Sequence, residues 1–64
     1  MKWLDIQDIT IELCEKYPDD DPLSISFPDL HRRICNLDNF DDDKNKSSER
    51  ILEAIVTSWI DERD

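Results

Sequence analysis

The 64-residue chain contains no glycine. It therefore lacks the loop that cradles a phosphate and the residue best suited to a tight left-handed turn, which excludes the usual nucleotide-binding fingerprints. Its two cysteines, Cys14 and Cys35, form no C-x-x-C. Neither a thiol redox motif nor a multi-bridge secreted framework is indicated, and one long-range disulfide stays open. Long apolar runs are also missing: no window approaches the ~20 residues of a membrane span, and charge interrupts the stretch Met1–Asp5 before any signal-like apolar core. Cations are scarce, with 8 Lys and Arg against 17 Asp and Glu and a net charge of -9. Phosphate-backbone binding needs cations, so nucleic acid is a poor partner, and the same field repels anionic lipid. The expectation is a soluble, cytoplasmic, monomeric protein whose partners are basic protein surfaces or hard cations.

A chain this short buries only about 60% of its unfolded surface, so one domain spanning 1–64 is expected and every large apolar residue counts. Asp5 can cap a first helix in which Ile6, Ile9 and Leu13 fall on one face, Tyr17 extends the stripe and Pro18 stops it. The opposite face carries Asp8, Glu12 and Glu15, solvated or open to a cationic partner. Between Pro18 and Pro22 stand Asp19, Asp20 and Asp21, a rigid-edged acidic turn. Leu23, Ile25 and Phe27 then alternate with serines, as in a very short strand or an extended connector that inserts three anchors. Ser26, or Phe27 with Pro28 behind it, caps a second helix presenting Leu30, Ile34 and Leu37 and ending near Asn36–Asn39, with Phe40 an anchor beyond it. Residues 41–48 read as a polar loop without core residues. Ser47 or Ser48 caps a third helix whose broad stripe is Ile51, Leu52, Ile55, Val56, Trp59 and Ile60, fraying at residues 61–64.

His31 and Cys35 stand four apart on the second helix, close enough to share a metal, but a structural zinc takes four ligands and one histidine with two cysteines does not supply them. A helix-face histidine beside a partly buried thiol is the plainer reading. General-base chemistry by His31 lacks a cavity in three short helices, so no enzyme activity is expected. The runs Asp19-Asp20-Asp21 and Asp41-Asp42-Asp43 suit weak, hydrated binding of iron or another divalent ion, with solvated turns an equal alternative; neither fits an EF-hand loop. Protein binding is better supported, an acidic face steering association with a basic groove. The aromatic residues Trp3, Tyr17, Phe27, Phe40 and Trp59 are needed chiefly for core.

The string Y-P-D-D-D-P at 17–22, F-P-D-L-H at 27–31, Ile34-Cys35, Leu37, Phe40 to Asp43, Glu49 to Ile55 and Trp59 to Glu62, with Trp3 and Asp5, together resemble the small IscX family of iron-sulfur cluster assembly. The resemblance implies a mainly α fold: a compact three-helix, modified winged-helix-like domain. It implies a non-catalytic adaptor that binds the bacterial cysteine desulfurase, in competition with frataxin-like protein or ferredoxin, and binds Fe(II) or Fe(III) weakly, with no tightly held cofactor. Carried across, the family's acidic positions make Asp19, Asp21, Asp41, Asp42 and Asp43 candidates for iron and for the partner, with Asp29 and His31 as neighbours in the partner contact. Arg33 stands where the family often has an aromatic residue, a change that bears on the partner contact. Lys44 replaces a usual proline, and Ser48 a common asparagine. An acidic interaction module without a metal role and a winged-helix nucleic-acid binder are the alternative readings.

Overall fold

The computed structural model describes residues 1–63. Three helices carry the chain: α1 (Ile6–Lys16), α2 (Phe27–Cys35) and α3 (Glu49–Arg63), with one 3-10 turn at Lys44–Lys46. The protein is thus mainly α, and no strand occurs among the described residues. Of the two readings of Leu23, Ile25 and Phe27 the short strand is not formed: residues 22–24 are a turn, Leu23 is 77% exposed and Phe27 already belongs to α2, while Ile25 and Phe27 pack against the core as the connector reading expects. A lone strand has no ladder partner here, so its backbone groups are better satisfied in turns.

The helix ends follow from local chemistry. Asp5 stands at the N-cap of α1, yet its carboxylate accepts from the backbone N–H of Lys2 at 2.8 Å instead of capping the helix. Before α2, Ser26 is the cap: its Oγ accepts from Asp29 N–H at 3.4 Å, with Pro28 in the first turn, where a missing N–H costs nothing. Such a cap contributes about 0.5–2 kcal/mol, and this long bond belongs at the lower end. Ser48 does the same for α3, accepting from Ile51 N–H at 3.3 Å. The helix then runs through Asp61 and Glu62 to Arg63, so those residues do not fray, and the part of that expectation that concerns Asp64 lies outside the described residues.

The helical stripes meet in one core of Trp3, Ile9, Leu13, Leu30, Ile34, Leu37, Leu52, Ile55 and Trp59, in which α1 packs most extensively against α3 and α2 closes the remaining side. Ile6, Tyr17, Phe40, Ile51 and Val56 rim it, which narrows the stripe expected of α3. Thr10 is fully buried as well, and its hydroxyl is satisfied by donating to the Ile6 carbonyl at 2.8 Å. No described helix is long and apolar enough to cross a membrane.

Candidate functional site

The loop at 41–46 is held by the N-terminal segment and by α2. Trp3, 2% exposed, donates its backbone N–H to the Asp42 carboxylate at 3.0 Å and its indole Nε1–H to the Asp43 carbonyl at 2.8 Å. The Trp3 ring stacks on His31 at 5.3 Å and meets Phe40 edge-on at 4.8 Å. His31 Nε2 lies 2.7 Å from the Lys44 carbonyl. A carbonyl only accepts, so that nitrogen carries the proton. The loop contributes no apolar side chain, but its backbone roofs the tryptophan.

Within this roof the three aspartates have different work. Asp42 accepts from the N–H groups of Trp3 and Asp43. Asp43 caps the 3-10 turn, accepting from Asn45 N–H at 2.9 Å. Asp41 points outward and pairs with Lys2 at 3.6 Å, an exposed pair worth about 0–1 kcal/mol. The Trp3 backbone N–H, and after it that of Asp43, hold the Asp42 carboxyl below the usual aspartate value. A carboxyl lowered in the folded state stabilises the fold above its unfolded pKa, and the contribution disappears as pH falls through the lower folded value. Wild type is therefore expected to exceed Asp42→Asn in stability at neutral pH, with the gap closing in acid below the ordinary carboxylate range. Chemical denaturation across pH checks this, and a gap independent of pH would count against it.

The turn at 19–21 is divided similarly. Asp21 accepts from Leu23 N–H at 3.0 Å and from the Ser24 hydroxyl at 3.2 Å, closing a turn on itself. Asp20, part of the acidic run but not among the positions carried across from the family, receives Arg33 Nε at 2.7 Å, while its carbonyl accepts from Arg63. Arg33 also lies over the Tyr17 ring at 5.5 Å, and Asp29 pairs with Arg32 at 2.9 Å. Asp19 is exposed and makes no side-chain hydrogen bond among the described residues. The two acidic runs are anchored by different elements, and among the described residues no three His, Cys, Asp or Glu side chains group to hold a metal.

The outer face of α1 is where carboxylates stand exposed beside an apolar side chain. Two shallow depressions run along it. One is lined by Met1, Asp8, Ile11, Glu12 and Asn39, the other by Glu12, Glu15, Lys16, Leu37 and Asp38. Ile11, 41% exposed, belongs to the first, and Glu12, which lines both, receives the Asn39 amide at 3.2 Å. The helical spacing made Asp8, Glu12 and Glu15 visible in the sequence. Their junction with Asp38 depends on the turn after α2 and was not visible.

Both cysteines are free thiols, so the disulfide left open by the sequence is not formed. Burial pushes both thiols up, Glu62 adding to the effect at Cys14 and Lys44 opposing it at Cys35. Both are held as weak nucleophiles.

A family model described as iron-sulphur cluster assembly matches residues 1–64. The chain is 45% identical over 64 residues to a Pseudomonas aeruginosa protein described only as uncharacterized, the match covering 100% of this chain and 97% of that one. Matched along its whole length and built as three helices around one core, the chain belongs to the iron-sulphur cluster assembly family that is also known as the IscX family.

Proposed function

We propose that this chain is a non-catalytic accessory protein of iron-sulfur cluster assembly that docks onto a basic surface of the cysteine desulfurase. The observation that carries this reading is the family match together with the α1 face, where Asp8 and Glu12 line one depression with the exposed Ile11 and Glu12, Glu15 and Asp38 line the next. The carboxylates steer a basic partner, and the isoleucine supplies short-range contact area once solvent leaves. Asp19 and Asp41, both exposed, add to the negative field, and Asp21, Asp29, His31, Arg33, Asp42 and Asp43 make the bonds that fix the turns and α2. A frataxin-like protein or ferredoxin that uses the same basic surface would then compete.

Iron enters as cargo. The donor set does not fit a chelating cage, because no three ligating side chains group among the described residues. Association of Fe(II) at Asp19, Asp21, Asp41, Asp42 and Asp43 is therefore weak and hydrated. Anaerobic Fe(II) titration should broaden the NMR signals of these residues before others; spectra that stay uniformly unchanged would remove the metal part of the reading. For the adaptor role, calorimetric titration of the cognate desulfurase with this chain at low ionic strength should give saturable binding. Absence of heat and of co-elution would reject it.

A further inference from the structure

We propose that His31 and Cys35 form a two-point site for a thiophilic divalent cation of the zinc class, separate from the carboxylate surface. The two residues lie one turn apart on α2, with Cys35 Sγ 3.8 Å from His31 Nδ1. Bonds of about 2.1 Å to imidazole nitrogen and about 2.3 Å to thiolate sulfur span that separation at an angle of about 120°, near the tetrahedral preference of zinc. One ion can therefore touch both atoms without moving the backbone.

The tautomer is already set for this. His31 Nε2–H donates to the Lys44 carbonyl, so in the neutral ring Nδ1 holds the lone pair and faces the thiol. A metal-bound histidine characteristically donates its other ring N–H to a carbonyl or carboxylate, which fixes both orientation and basicity. Stacking on Trp3 holds the ring from a further side. Both ligands are only half-buried, so the ion has a way in. On binding, the Cys35 thiol proton leaves to solvent as the sulfur–metal bond forms, with no oxidation or reduction.

Among the described residues no third ligating side chain joins the pair. Water completes the coordination and the site is exchangeable, unlike the closed four-ligand sites that fold small domains. A thiolate and an imidazole select zinc-class ions over the hard cations that carboxylates prefer.

The test is anaerobic titration of the reduced full-length chain with cobalt(II), a spectroscopic stand-in for zinc, with zinc then added in competition. One equivalent of cobalt should produce thiolate-to-metal charge-transfer absorption and change the emission of Trp3, and zinc should abolish the absorption. Cys35→Ser should lose the absorption and Cys14→Ser should keep it. His31→Gln should weaken cobalt binding about tenfold or more, at least the effect of losing an outer-shell partner. Circular dichroism confirms that each variant is folded. If His31→Gln does not fold, the near-isosteric Cys35→Ser decides the matter together with Cys14→Ser. No absorption in wild type, or absorption that survives Cys35→Ser, overturns the site.

Discussion

Trp3→Ala is expected to leave about half or more of the molecules unfolded at 25 °C. The indole is 2% exposed, and its ring touches both His31 and Phe40. Truncating a buried tryptophan costs about 3–5 kcal/mol. A core of this size rarely supplies more than about 3–5 kcal/mol in total, so the loss matches the whole reserve. The damage also spreads, because the indole N–H lost from the Asp43 carbonyl is one of the bonds that hold the loop at 41–46. Trp3→Phe separates the two contributions: it keeps much of the apolar area and forfeits the hydrogen bond, for a smaller loss of about 1 kcal/mol from that bond plus imperfect packing. Urea unfolding followed by circular dichroism reads both variants. A Trp3→Ala protein with a cooperative transition and a loss under about 1 kcal/mol would show that Trp3 does not belong to the essential core.

The second large effect concerns the partner. Asp8→Asn, Glu12→Gln and Glu15→Gln combined should weaken desulfurase binding about tenfold or more at low salt, chiefly through slower association. These side chains line the outer face of α1 and not the core, so the helix content should be retained. Gln at position 12 keeps an oxygen that can accept from Asn39. The single change Glu53→Gln, on exposed α3 surface, serves as the comparison for generic charge loss and should have little effect. Equal weakening by Glu53→Gln would mean that net charge, and not the α1 face, governs association.

What the sequence made legible follows from how far each signal reaches along the chain. The helices were readable because helical spacing places Ile9 with Leu13, Leu30 with Ile34, and Leu52 with Ile55 and Trp59, and because Ser26 or Phe27, and Ser47 or Ser48, mark the helix starts to within one residue, Ser26 and Ser48 being the caps formed. Of the three anchors expected in the connector reading, Ile25 and Phe27 reach the core and Leu23 does not, because alternation over five residues looks the same in a strand and in a proline-bounded turn. Trp3 was assigned to the core, but its grip on a loop forty residues away is a tertiary fact. The aspartate runs advertised charge without showing which carboxylates the backbone would occupy. Asp42, Asp43 and Asp21 accept from nearby N–H groups, Asp20 takes Arg33, and Asp19 and Asp41 face solvent. Clustering in sequence therefore overstated clustering in space. The acidic junction of α1 with Asp38 was half legible, since one partner lay on a periodic helix and the other on a turn.

In the proposed function, exposed carboxylates draw this domain to a basic surface of the desulfurase. That attraction is tested most directly by calorimetric titration of the two proteins through a series of salt concentrations. Clear binding is expected at low salt, weakening steadily as added ions screen the charges beyond about 10 Å at 0.1 M. Affinity that stays constant across the series would contradict it.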